Sequence, residues 1–293
     1  MTNTLPGGGG DSPEARRDHP ASIEAGNIIP PHNFEPGSTC IVVQRHQRYV
    51  NEAGHERLGS LTPEAEEQEW NMAYNYFNEL LASTPPHERT KVKAYFVASD
   101  SDFKGEGGER SYETAVIAQQ AAEAVFKRYG VDPATAIVNA GLNVRGGYSE
   151  INPNLREPQI FTDSPGFVAD LRRLYPDFKD MMDAYEADRH ADIRIQNGAE
   201  GPRELAGRLG SSIGELARYA DSLHAADPDS RVVMWATSHY DTISPFVKLN
   251  LLNIGLEPYL PVEYGGGFTV EINPRGQARA KLGNRSYPLP INS

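Results

Sequence analysis

The stretch TCIVVQRHQR, residues 39–48, decides how this chain is read. Residues 40–44 form an apolar, largely β-branched run suited to a strand buried on both faces. The run stops at once on Arg45, His46, Gln47 and Arg48. In an open α/β sheet the carboxyl end of a buried strand faces the crevice where ligands bind, so these side chains converge there. Arginine offers a planar fork of donors matched to phosphate or carboxylate, and imidazole can be nucleophile, acid or base near neutral pH. The competing view is that the charges merely cap a strand in solvent. The rest of the chain must decide.

The chain has 293 residues, 39% hydrophobic and 23% charged, enough for one large α/β domain or two small ones. A net charge of −12 argues against a general nucleic-acid or acidic-membrane binder, because such proteins need a broad basic face. Any phosphate site must therefore be a local positive pocket. The one cysteine, Cys40, cannot form an internal disulfide, and no apolar signal segment or membrane span stands out, so a cytoplasmic protein is expected. Residues 1–36 carry GGGG at 7–10, several prolines and few large apolar side chains. They are expected to form a disordered tail before a domain over 37–293.

Thr62 and Pro63, followed by Glu64, Glu66 and Glu67, read as a helix start, with a threonine cap, proline in the first turn and acids at the positive end. Helical spacing of Trp70, Ala73, Tyr74, Phe77, Leu80 and Leu81 continues to Pro85, and predicts a core-facing stripe. Residues 92–98 read as a second buried strand, 136–139 as a candidate short one, and 232–236 as a third strong one. Between the second and third strong strands lie a helix from 111 to 129 with Arg110 at its mouth, an insertion over about 142–189 that is irregular to Pro165 and then helical, with a break at Pro176, to about Arg189, and a long helix. That long helix carries Leu205, Leu209, Ile213, Leu216, Ala220 and Leu223. The strand at 232–236 ends on Ser238 and His239, repeating the logic of the first: apolar run, abrupt imidazole, helix. Two such strand ends can place His46 and His239 across one crevice. Alternation at Phe268, Val270 and Ile272 before a turn at 273–276 suggests a terminal hairpin.

In this order the residues resemble the histidine phosphatase superfamily, the phosphoglycerate-mutase-like and acid-phosphatase-like enzymes. Arg45-His46 resembles the family's Arg-His-Gly nucleophile motif, and Arg48 a further phosphate arginine. Residues 61–64 resemble its Leu-Thr-x-x-Gly helix start, and Arg110 within 109–115 its third arginine. Glu157 after Leu155-Arg156 resembles the mutase-like acid, Glu200 with Arg208 the Gly-Glu-Ser helix segment, and His239 the second catalytic histidine. Two departures are plain: Gln47 replaces the glycine and adds bulk beside the phosphate, and Tyr240 separates His239 from Asp241.

The resemblance implies a three-layer α/β/α domain with a mostly parallel sheet, helices on both faces and the insertion as a cap over the site. It implies a metal-independent phosphatase with no cofactor, acting on a small-molecule phosphomonoester or a phosphoprotein, with no nucleic-acid or membrane partner. His46 would form a phosphohistidine; Arg45, Arg48, Arg110 and His239 would bind the phosphoryl oxygens; Glu157 would be the general acid, with Asp241 as alternative. A mutase, or a phosphate-binding relative made inactive by Gln47, are the competing functions. A Ser238-His239-Asp241 triad is weaker, since near-neighbours on one strand end rarely face each other and no G-x-S-x-G elbow is present. Substrate identity and oligomeric state stay open.

Overall fold

The computed structural model describes residues 20–52, 55–99, 109–138 and 152–291. Its strands are β1 (Thr39–Arg45), β2 (Val92–Ala98), β3 (Arg231–Ser238), β4 (Gly267–Ile272), β5 (Ala278–Leu282) and β6 (Arg285–Pro288). Its helices are α1 (Pro63–Ser83), α2 (Arg110–Arg128), α3 (Pro133–Ala136), α4 (Ile160–Asp163), α5 (Pro165–Leu174), α6 (Phe178–Glu186), α7 (Ala191–Gln196), α8 (Pro202–Ala226) and α9 (Tyr240–Phe246). None of the described helices is long and apolar enough to cross a membrane.

The sheet runs β2-β3-β1-β4-β5-β6. Its core, β2-β3-β1, is parallel; β4, β5 and β6 extend it antiparallel from the other edge of β1. The expected terminal hairpin is β4-β5, and β6 adds a strand beyond it. Helices cover both faces because each buried strand sends alternate residues to opposite sides. Val42, Phe96 and Trp235 pack with Phe77, Leu80 and Phe126 of α1 and α2, while Ile41, Val43 and Met234 pack with Leu209, Ile213 and Phe246 of α8 and α9.

The register sets the site. Arg45 pairs with Ser238 across β1 and β3, so the next residues, His46 and His239, leave adjacent strands at one level. Ala98 pairs with Thr237, which brings Ser99 to the same edge.

Thr62 caps α1 as expected, its Oγ1 accepting from the Ala65 N–H at 3.3 Å. The buried stripe of that helix differs from the predicted one. Trp70 is 36% exposed and Tyr74 half-buried, whereas Glu69 is fully buried, in line with Ala65 and Ala73. Steps of four along the helix place Glu69 on the inward face. On β3, Trp235 stacks on Phe77 with ring centroids 5.7 Å apart, and Phe77 also meets Phe96 and Phe126. Phe77→Ala is expected to cost about 3–5 kcal/mol of stability in urea unfolding, since this wall cannot collapse onto the gap. A loss under about 1 kcal/mol would contradict that packing.

Two expectations are corrected. The disordered tail does not extend to residue 36: from residue 20 the chain packs, with Ile23 fully buried, its N–H donating to Pro261 O and its carbonyl accepting from Glu263 N–H, both at 2.9 Å. Isolated apolar residues in a polar window anchor against distant chain, which composition does not register. Residues 1–19 lie outside the described residues. The candidate strand at 136–139 reduces to one bridge, Ile137 to Ala94, because Asp132 caps the short α3, accepting from Ala134 N–H. Asn139 lies outside the described residues. Of the insertion, 142–151 also lie outside them; the remainder holds helices α4 to α6, and with α7 these build a small core of their own around Phe167, Leu171 and Met181.

Candidate active site

His46 directly follows β1 and extends its ladder by one bond, its N–H donating to Ser238 O at 2.9 Å. Its ring is buried, with Nδ1 2.7 Å from the Gln47 carbonyl and Nε2 3.2 Å from Arg110 Nε. Guanidinium nitrogens only donate, so Nε2 is the acceptor and Nδ1 carries the hydrogen given to Gln47 O. Burial, and then the charges of Arg110 and Arg45, hold the imidazole pKa well below the ordinary histidine value. His46 therefore presents a neutral ring with its lone pair at Nε2.

The ring centroid of His239 lies 5.0 Å from that of His46. Its Nε2 is 2.7 Å from Ser99 Oγ and 3.3 Å from Ser111 Oγ, while Nδ1 is buried without a hydrogen-bond partner among the described residues. It too is held neutral, by burial first and then by His46 and Arg110. Arg110, the first residue of α2, is buried and donates through Nη2 to Glu157 Oε2 at 2.7 Å. That same oxygen is 3.8 Å from His239 Nδ1.

Tyrosines orient the cations. The Arg45 guanidinium stacks 3.9 Å from the Tyr264 ring centroid and donates to Val262 O; Arg110 lies 4.6 Å from the Tyr49 centroid. Cation–π contact holds an arginine without neutralising it. Arg45 Nε is buried and unpartnered among the described residues. Arg48 stands at the rim, exposed, 5.8 Å from the Tyr264 centroid.

Glu157 sits on irregular chain, yet that chain is pinned. Ser238 Oγ donates to Leu155 O at 2.6 Å, Thr242 Oγ1 to Arg156 O at 3.1 Å, and Arg208 to the carbonyls of Pro153, Asn154 and Arg156, each at 3.1 Å. Arg208 is itself braced by Glu200. The two residues matched to a helix motif thus serve here to clamp the Glu157 segment.

Asp241 lies in the first turn of α9, its carboxyl pushed up to about 7 by burial and then by the charges of Glu157 and Glu186. Among the described ion pairs, the carboxylate that reaches both Arg110 and His239 is Glu157. The structure therefore brings together Arg45, His46, Arg110, Glu157 and His239, puts Arg48 at the rim and sets Asp241 behind. Sequence reasoning missed Ser99, Ser111, Tyr49 and Tyr264. Ser99 had a signal, standing at a strand's carboxyl end; the tyrosines had none.

Two buried donors near a neutral nucleophile, with one carboxylate against two inward arginines, make a pocket for a tetrahedral oxyanion next to an attacking nitrogen and a proton carrier. Among the described residues no three His, Cys, Asp or Glu side chains converge to hold a metal ion.

No family model and no curated protein matches the chain. Solved structures with a similar arrangement include a phosphoglycerate mutase from Bacillus anthracis str. Sterne, at 14% identity and a TM-score of 0.41, covering 84% of this chain and 92% of that one. A mycobacterial glucosyl-3-phosphoglycerate phosphatase gives 14% and 0.43, covering 84% and 98%. Mycobacterial hydrolase 2 gives 16% and 0.45, covering 87% and 94%. At these values the likeness carries no weight for activity or substrate.

Proposed function

We propose that this chain is a phosphatase that hydrolyses a phosphomonoester through a covalent phosphohistidine on His46. The observation that carries this is the state of His46: neutral, Nδ1–H spent on the Gln47 carbonyl, Nε2 lone pair turned toward Arg110.

Nε2 attacks phosphorus in line, forming the P–N bond as the bond from phosphorus to the leaving oxygen breaks. Arg45, Arg110 and His239 Nδ1–H meet the equatorial oxygens, where phosphoryl transfer gains most of its catalysis, and Arg48 adds charge at the mouth. His239 can present Nδ1–H because the hydroxyls of Ser99 and Ser111 can donate to its Nε2. Glu157 gives its proton to the leaving oxygen. Glu157 then takes a proton from water, whose oxygen attacks phosphorus; the P–N bond breaks and the pair returns to Nε2. Every step uses groups of the chain itself, and no metal is required. The bulk of Gln47, which motivates an inactive relative, is turned toward Glu69 at 2.8 Å and held there.

Rapid denaturing quench during turnover of a radiolabelled aryl phosphate, with EDTA present, should trap label on the protein. It should resist alkali, be lost in acid and map to His46. Turnover with no such species, or label on another residue, would overturn the mechanism.

A further inference from the structure

We infer that Glu69 is a positioning residue for His46, acting through the Gln47 side chain to aim the Gln47 main-chain carbonyl at Nδ1. The inference rests on the phosphatase reading for its catalytic consequence, and on geometry alone for the rest. Glu69 lies on α1, fully buried under β1. Its Oε2 accepts from Gln47 Nε2 at 2.8 Å and from Gln44 Nε2 at 2.6 Å. Gln44 Oε1 in turn accepts from Trp235 Nε1 at 2.7 Å, which ties the carboxyl to β1 and β3 together.

A carboxyl with no cation beside it is an expensive group to bury, and burial raises its pKa to about 7 while the two amides pull it down. Proton uptake at Oε1, which has no partner among the described residues, leaves Oε2 free to accept from both amides. The anchor therefore holds in either protonation state.

The second observation comes from the opposite wall. Gly265 has φ +73°, and a Cβ there would stand 2.4 Å from Gln47 Nε2. The loop before β4 is thus cleared for this glutamine, and Gln47 is clamped between Gly265 and Glu69. Its own N–H donates to Thr114 Oγ1 at 3.1 Å, and Thr114 Oγ1 donates to Arg110 O at 2.7 Å. Both ends of residue 47 are therefore fixed, and its carbonyl, 2.7 Å from His46 Nδ1, holds the Nδ1–H tautomer together with Arg110, whose Nε donates to Nε2. A glycine at 47 would leave this orientation to a backbone with far more freedom.

The test compares wild type with Gln47→Leu, which keeps bulk and removes the anchor, and with Gln47→Gly, which removes it without adding contacts. Two readouts apply: kcat and KM for an aryl phosphate, and the nitrogen-15 shifts of the His46 ring. Both variants should lose roughly 10–10²-fold in kcat, with little change in KM, as expected for a misaimed nucleophile. The ring signals should move from the pure Nδ1–H form to a tautomer mixture. Exchange of the pair, Gln47→Glu with Glu69→Gln, preserves a donor and an acceptor and should restore both readouts. A folded Gln47→Gly or Gln47→Leu protein with wild-type kcat and a single Nδ1–H tautomer overturns the inference. If wild type itself does not turn over, the phosphatase reading fails, and the ring signals still decide the positioning claim.

Discussion

Replacing His46 by alanine is expected to lower phosphate release by roughly 10⁴–10⁶-fold, the scale seen when a covalent nucleophile is removed. The fold should survive, because the ring is neutral and bonded to its own neighbour, Gln47, and to Arg110, whose charge remains paired with Glu157. Vanadate should still bind, since Arg45, Arg110 and His239 are untouched. A linked effect fixes the sign of a second measurement. The folded pKa of His46 lies well below the ordinary value, so below about pH 6.5 the unfolded chain takes up a proton that the folded chain refuses. Wild-type stability therefore falls as pH drops from about 6.5 toward the depressed folded pKa, and His46→Ala should fall less steeply there. Folded mutant protein that keeps more than about 1% of wild-type turnover would remove His46 from the nucleophile's role.

Much of this arrangement is legible in the chain because it is local. Apolar runs that stop on Arg45-His46 and Ser238-His239 carry their own evidence of buried strands ending at a crevice, and Thr62-Pro63 announces a helix without help from elsewhere. The face of α8 follows its leucines, with Leu205, Leu209 and Ile213 all buried. What escapes is whatever depends on a distant partner. Glu69 carries no local mark of burial, and its place follows only from Gln44 and Gln47 meeting it from β1, while Trp70 reads as core until Glu69 takes the inward position. Ile23 belongs to a window too polar to fold alone, and it packs only because residues 261–263 come to it. Tyr264 and Gly265 lie some 220 residues from His46, a separation that nothing in local patterning bridges. Glu157 falls between these cases: its motif is readable, but its position depends on Arg208, Thr242 and Ser238 gripping the chain around it.

Glu157→Gln should separate the two halves of the reaction by leaving group. For an alkyl phosphate, whose departing oxygen needs a proton, kcat is expected to fall about 10²–10⁴-fold. For a nitrophenyl phosphate the departing phenolate needs no such help, so the first step should keep most of its rate. The second step still lacks a base for water. Phosphohistidine should then accumulate, and stopped-flow mixing should show a burst of nitrophenolate approaching one per chain before a slow steady state. Glutamine retains an oxygen that accepts from Arg110 Nη2, so the pocket's geometry is preserved and the effect falls on proton transfer. Asp241→Asn is the discriminating control. Asp241 has a carboxyl raised to about 7, which suits an acid at neutral pH, while Glu157 has the contacts to Arg110 and His239. Position should decide over proton affinity, because a proton must be handed across hydrogen-bond distance before its pKa matters. A leaving-group-dependent loss and a burst in Asp241→Asn, absent from Glu157→Gln, would transfer the acid's role to Asp241.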